Sequence, residues 1–436
     1  MHCASSPARY LLTILAVFFL PGVTVAGDEF SFSLEEIEKD PVSWGGHLEL
    51  LASHLDIDQD AAFSFINRAG ESDSSLDLLQ TTLQLEGSYD RERSGFLWRL
   101  QASGLAGLDG WYDTADVMTA YATWHVPANS HLSLGKKSYR WGKGYAWNPV
   151  GFINRRKDPN NPDEPLEGYI TAEADIVRSF SGNLQTASLS MVLLPVYNHL
   201  NDEFGERDNL ELATRLYFLF MNTDIDLLLL TGGARPTSYG MDFSTNLASN
   251  LEIHGEVAWI RNQRRQVLRE DGEIVPVLDD TLSWLLGIRY LSRHDITTIG
   301  EYYHNGNGYT DPELENFFRF IHEASETYSE DAAETLLSQA IDMSLKGYAV
   351  PQPGRDYLYM RISQKEPFDI LYFTPAVTAI VNLGDRSFSL TPELIYTGFT
   401  DWELRLRCSF LAGSSYSEFG EKQNDSKVEL RIRYFF

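Results

Sequence analysis

Residues 426–436 alternate so regularly that one kind of element accounts for them. Val428, Leu430, Ile432, Tyr434 and Phe436 fall on one side of an extended strand, and Glu429, Arg431 and Arg433 on the other, because successive strand side chains point to opposite faces. The stretch before it repeats the pattern, with Trp402, Leu404, Leu406, Cys408 and Phe410 against Glu403, Arg405, Arg407 and Ser409. So does the one before that, with Phe388, Leu390, Pro392, Leu394 and Tyr396 against Ser389, Thr391 and Glu393. A soluble sandwich also alternates, so the alternation alone leaves open whether the apolar face meets a protein core or lipid.

Three further features favour lipid. Residues 1–26 have the layout of a signal peptide: Arg9, an apolar run over 10–20, then small Thr24 and Ala26 before a cleavage point. That run is too short to span a bilayer as a helix, which takes roughly 20 residues. Aromatic residues such as Tyr396, Trp402 and Tyr434 sit at strand ends. Connection lengths also alternate. Eighteen strands are expected, at 43–55, 77–89, 95–106, 116–126, 130–140, 170–180, 183–195, 210–221, 223–231, 237–246, 249–261, 281–291, 294–305, 355–365, 369–382, 386–397, 400–411 and 426–436. Every second connection is a tight polar turn, and the long ones, near 56–76, 141–169, 196–209, 262–280, 306–354 and 412–425, all fall in the other phase. That phase belongs to outer-membrane barrels, which have short periplasmic turns and long outer loops. The expected fold is therefore an all-β membrane protein: a single closed antiparallel transmembrane β-barrel over 43–436 with about 18 strands, or 16 as the next choice, after a short periplasmic segment at 27–42. Its expected place is the outer membrane of a Gram-negative bacterium.

Composition excludes other classes. With 35 basic and 62 acidic residues the chain lacks the basic footprint that nucleic acid requires. Cys3 lies in the expected leader, leaving Cys408 without an intrachain disulfide partner. No His or Cys pair has metal-ligand spacing, and Asp56, Asp58 and Asp60 lack the Gly and closing Glu of a calcium loop. His254, between Glu252 and Glu256, and His304 have no nucleophile motif beside them. Neither an enzyme nor a cofactor is expected.

The charge anomaly lies after the fifth strand. Lys136, Lys137, Arg140, Lys143, Arg155, Arg156 and Lys157 occur without an intervening acidic residue, in a chain of net charge −27. Glycines permit tight bends there, and Trp141 and Trp147 add rigid surfaces. One reading is a loop folded into the lumen, its cations selecting anions or anionic sugars. The other is a loop on the outer rim that pairs with lipopolysaccharide phosphates. A second candidate is the inner face itself, where Arg361, Arg405, Arg407, Arg431 and Arg433 belong, because an Arg facing lipid costs about 2–4 kcal/mol at the midplane. These arginines either line a permeation path or cross-link neighbouring strands. A third is the acidic 306–354 loop, with two helix-like segments starting at Asp311 and Ser329, which serves as a lid, a plug or a solvated surface feature. A further short helix is expected from the capping-box spacing at Ser33 to Glu36.

Several short motifs resemble those of proteobacterial porin-like barrels, including alginate-export-like and uncharacterised families. They are Gly135-Lys136-Lys137, Trp141-Gly142-Lys143-Gly144, Asn148-Pro149, Asp158-Pro159 with Asn161-Pro162, the segment 34–39 before Gly45-Gly46-His47-Leu48-Glu49-Leu50, the run from Tyr303 to Gly308, and the run from Leu430 to Phe436. The resemblance implies a monomeric barrel of about this size, handled by the barrel-insertion machinery through the strand ending at Phe436. It names no substrate. The expected function is a porin-like channel or transporter for small polar solutes, anions in particular, or anionic saccharides, embedded among outer-membrane lipids and lipopolysaccharide. The alternative is a closed barrel that binds or assembles polysaccharide at the cell surface.

Overall fold

A computed structural model of the chain describes residues 41–68, 73–107, 110–127, 129–326 and 333–436. The expected leader, the segment up to residue 40 and the capping-box helix lie outside the described residues. Eighteen antiparallel strands follow one another around a single closed sheet. They are β1 Val42–Ile57, β2 Ser75–Arg91, β3 Ser94–Gly107, β4 Gly110–Val126, β5 Ser130–Lys137, β6 Tyr169–Ser179, β7 Leu184–Val196, β8 Asn209–Phe220, β9 Thr223–Thr231, β10 Ser238–Ala248, β11 Leu251–Leu268, β12 Ile274–Leu291, β13 Ile296–His304, β14 Asp356–Gln364, β15 Phe373–Asn382, β16 Phe388–Tyr396, β17 Trp402–Ala412 and β18 Asn424–Phe435. β18 pairs with β1 from His47 opposite Phe435 to Ile57 opposite Asn424. Gly46 and Phe436 exchange two further backbone hydrogen bonds of 3.0 and 3.1 Å. Closure leaves no edge strand with unpaired backbone groups, which hydrocarbon would not tolerate.

The side-chain alternation is inside out relative to a soluble protein. On β18, Val428 and Leu430 are exposed on the outer face and Arg431 is buried towards the lumen. Aromatic side chains crowd the outer face near both rims. At the short-turn rim the Trp402 and Tyr434 rings lie 4.9 Å apart, and Trp44 meets Phe436 at 6.5 Å. At the long-loop rim Tyr239 stacks on Trp259 at 5.5 Å. Trp402 and Phe410 face outward eight positions apart on β17. At about 3.3 Å per residue and about 40° of tilt, the band between them is roughly 20 Å tall, close to the apolar band of such barrels.

All eighteen expected strands are present and the loop phase holds, with some boundaries moved. β11 and β12 run on to Leu268 and from Ile274, so the expected 262–280 loop is mostly a hairpin projecting beyond the barrel. β15 starts at Phe373 rather than 369, after a turn in which Phe368, Asp369 and Tyr372 all have positive φ. β5 stops at Lys137.

At the long-loop rim three helices, α1 Ala62–Arg68, α2 Asp311–Glu326 and α3 Ala333–Met343, share an apolar core. Phe63, Leu314, Phe317, Phe318 and Ile321 pack there with Val267 and Leu268 of the projecting hairpin. Glu421 ties the cap together, accepting from Ala62 N at 2.7 Å and Tyr416 N at 2.6 Å and lying 2.9 Å from His322 Nε2. The acidic helical loop is thus part of a cap on the rim, joining the connections that follow β1, β11, β13 and β17.

The outer face yields a direct test. Leu430→Arg will destabilise the barrel by about 2–4 kcal/mol, whereas the same change at lumen-facing Gln101 will cost less than about 1 kcal/mol. Urea unfolding in lipid vesicles measures both; equal costs would mean that the assignment of faces is wrong.

Candidate functional site

The long connection between β5 and β6, residues 138–168, folds into the barrel and crosses it. Two carboxylates on the opposite wall hold it. Glu256 Oε1 on β11 accepts the backbone N–H of Lys143 and of Gly144, both at 2.6 Å, and the Asn148 side chain at 2.8 Å. Glu256 Oε2 accepts Val150 N at 3.2 Å. Glu301 on β13 accepts the backbone N–H of Tyr145 and, at 2.8 Å, of Ala146. His254 Nε2 lies 2.9 Å from Glu301 Oε1, the oxygen that accepts Tyr145 N, and fixes its orientation. Both carboxylates are buried, 4% and 1% exposed. Hydrogen bonds to a charged group contribute about 1.5–3 kcal/mol each.

The glycines of the Trp141-Gly142-Lys143-Gly144 motif are required by this contact. Gly142 has φ +103°, and a Cβ there would sit 2.7 Å from Glu256 Oε1; at Gly144 it would sit 2.0 Å from Trp147 O. The motif is a cradle in which the backbone closes on a carboxylate.

Apolar packing reinforces the docking. Tyr139, Trp141, Val150, Phe152 and Ile153 of the loop pack on inward-facing Val192, Leu194 and Val196 of β7 and Leu228 and Leu230 of β9. Each buried aliphatic or aromatic side chain adds about 1.5–3 kcal/mol. Further along, Trp147 stacks on Tyr303 at 5.2 Å and contacts Tyr357 and Tyr359 on β14. The Asp158-Pro159 and Asn161-Pro162 turns then reach β17. Arg407 donates to Asn160 O at 3.2 Å, and Arg405 to Asn161 Oδ1 at 3.3 Å.

Six of the seven loop-region cations are engaged. Lys136 pairs with Glu167 and Lys137 with Glu173. Lys143 lies 2.9 Å from Asp226. Arg155 pairs with Glu203 and Glu167 and lies over the Tyr169 ring. Arg140 donates to the carbonyls of Asp163 and Glu164, and Lys157 to those of Gly144 and Tyr145. Burial pushes the pKa of Lys157 down, against the pull of Glu301 and Glu256. Arg156 is exposed and has no carboxylate in ion-pair reach among the described residues. Of the seven, only Arg140 and Arg156 are exposed, and Arg156 alone lacks a carboxylate or carbonyl partner among the described residues. The reason is energetic: a cation held against the wall requires a partner.

The wall arginines are also paired. Glu393 on β16 receives Arg361 at 2.9 Å, Arg407 at 2.8 Å and Arg405 at 3.7 Å. Glu49 on β1 receives Arg433 and, at 3.6 Å, Arg431. Arg431 also lies 3.7 Å from Glu164 of the loop. Lumen-facing Arg289 on β12 is exposed and has no ion-pair partner among the described residues. The interior is polarised. Arginines concentrate on β14, β17 and β18; Glu173, Asp175, Glu211, Asp226, Asp242, Glu256 and Glu301 occupy β6 to β13.

Sequence reasoning met Glu256 and His254 in excluding a nucleophile motif, not as holders of the loop. It also missed a readable signal. Met191 to Leu194 and Leu227 to Leu230 are apolar without alternation, the pattern of a strand buried on both faces. Those are the strands on which the loop packs.

No protein-family model matches the chain, and no curated protein matches it. Solved structures do. OccK11 (OpdR) of Pseudomonas aeruginosa is 13% identical, covers 90% of this chain and 96% of its own, and has a TM-score of 0.52. A BenF-like porin from Pseudomonas fluorescens Pf-5 is 10% identical, with 91% and 98% covered and a TM-score of 0.53. OccK2 (OpdF) of Pseudomonas aeruginosa, solved in complex with glucuronate, is 11% identical, with 91% and 98% covered and a TM-score of 0.51. The chain therefore has the fold of an outer-membrane porin, and these neighbours are channels rather than enzymes. The alginate-export-like resemblance rests on the motifs alone.

Replacing both carboxylates, Glu256→Ala with Glu301→Ala, leaves at least five loop N–H groups without acceptors, at about 1–3 kcal/mol for each that stays buried. The loop will leave the lumen, and trypsin, too large to enter the barrel, will then cut after Arg155, Arg156 or Lys157. Peptide mapping of the folded protein reads this; cleavage equal to that of the unaltered protein would refute the docking.

Proposed function

We propose that the protein is an outer-membrane channel for small polar solutes, selective for anions, and that the 138–168 loop is its constriction. The observation that carries this is the loop's path. It spans the lumen from β5 to β17, and nearly all its cations are engaged in holding it, while Arg156 stays exposed and uncompensated. Arg289 supports the reading from the wall. Unpaired guanidiniums in a narrowed lumen raise the local concentration of anions and lower that of cations. The remaining arginines, Arg361, Arg405, Arg407, Arg431 and Arg433, act as a paired but cation-rich wall beside the path. Small carboxylates and uronic-acid saccharides fit such a wall. OccK2, a structural neighbour, was solved with glucuronate.

Single-channel recording in planar bilayers under a salt gradient tests this. The unaltered protein will conduct and its zero-current potential will favour anions. A unit charge about 4 Å from a passing ion in water contributes about 1 kcal/mol, so Arg156→Glu with Arg289→Glu will shift the permeability ratio towards cations by roughly fivefold or more. An unchanged ratio would reject the assignment of selectivity to these residues. Absence of conductance, even with the 138–168 and 305–355 loops deleted, would favour a closed surface barrel that binds polysaccharide.

A further inference from the structure

One basic patch faces the opposite way from the lumen. On β11, Val257 and Trp259 are exposed on the outer face while Glu256 and Ala258 are buried inward, so Arg261 continues the outer face. In a regular strand Arg264 would point to the other side. Here the register jumps between Ile260 and Gln263, with Asn262 at φ +51°. That bulge brings Arg264 opposite Leu278, which is 61% exposed on the outer face. An extra residue in one strand re-aims the side chains beyond it, and here it puts two guanidiniums on the same side.

Together with Arg235, Thr237 and Glu206 they line an open cleft of about 560 Å³. Both arginines are exposed, and neither has a carboxylate within ion-pair reach among the described residues. Their neighbours on the hairpin do: Arg265 lies 2.8 Å from Glu313, and Arg269 lies 3.7 Å from Glu273. Nearby carboxylates are Glu206 in the cleft and Asp280, which accepts Asn262 N at 2.9 Å. Directly below lies the Tyr239–Trp259 stack, and such aromatic pairs mark the headgroup level of a bilayer. At the β1–β2 rim the outer face is acidic instead, with His54 2.7 Å from Asp77 and Asp56 beside it.

We propose that Arg261 and Arg264 form a binding site for the phosphate of a lipid headgroup in the outer leaflet. The two planar forks suit a phosphate, which guanidinium groups bind through paired charge-assisted hydrogen bonds. The apolar surface of Trp259 lies below, on the side of the acyl chains. The proposal rests on the outer-membrane placement given above, but not on conduction or on the constriction loop.

Native mass spectrometry of the full protein in detergent, with diphosphorylated lipid A as probe, tests it. The unaltered protein will retain the lipid, and Arg261→Gln with Arg264→Gln will weaken retention by roughly tenfold or more, as expected for loss of charge-assisted hydrogen bonds. Arg293→Gln, at a short turn on the other rim, will leave retention unchanged. Dephosphorylated lipid A will bind as weakly to the unaltered protein as the phosphorylated form does to the double variant. Equal retention by the double variant, or undiminished binding of the dephosphorylated lipid, would overturn the site. Displacement of the lipid by millimolar inorganic phosphate would overturn the lipid assignment in favour of a soluble anion. Heat-modifiability on gels confirms that both variants remain folded barrels, so a negative result removes the lipid site and leaves the channel reading standing.

Discussion

The structure depends on one constraint: hydrocarbon surrounds the strands, so almost every charge they carry within the apolar band must point inward. Eighteen strands thereby deliver more charged side chains to the lumen than neighbouring strands can neutralise pairwise. Arginines gather on β14, β17 and β18 and carboxylates on β6 to β13. The excess of each lies on a different arc of the wall, and the 138–168 loop touches both. Its backbone N–H groups and Lys143 compensate Glu256, Glu301 and Asp226; its carbonyls and Glu164 meet Arg405, Arg407 and Arg431. A basic loop in an acidic protein is therefore first a structural counterweight. Its selectivity is carried by the charge left over.

This ordering explains why a tally of loop cations overstates the positive field. Lys136, Lys137, Lys143 and Arg155 each meet a carboxylate, and Lys157 binds two carbonyls of the loop itself. What remains is a small number of exposed guanidiniums. Few charges suffice in a narrow, water-filled passage, where a single charge acts over a few ångströms. The helical cap on the rim adds a second, separate layer, built on apolar packing rather than on charge.

The strands and their phase were legible because alternation is a local property, set residue by residue by lipid on one side. Legibility fails where lipid stops. Beyond Ile260 and before Thr281 β11 and β12 rise past the hydrocarbon, alternation lapses, and a hairpin resembles a loop in sequence. The seven residues of α1 are too few for a periodic signal, and they fold because Phe63 enters a core supplied by α2 and β11. The loop was legible as a charge anomaly with glycines at its bends. Its anchors were not, since Glu256 and Glu301 lie more than 100 residues away from the groups that they hold. The nearest thing to a clue was the unbroken apolar runs in β7 and β9, which mark where the loop would pack.

The central claim is that this loop lies in the path that ions take. The most direct measurement places a single thiol on it, Arg156→Cys in a Cys408→Ser background, and follows single-channel current while a negatively charged thiosulfonate reagent is added. Modification inside a constriction will lower the current in one irreversible step, and the same reagent will leave the Cys408→Ser parent unchanged. A current that does not change, with labelling confirmed by mass, would contradict the account and place the loop outside the conducting path.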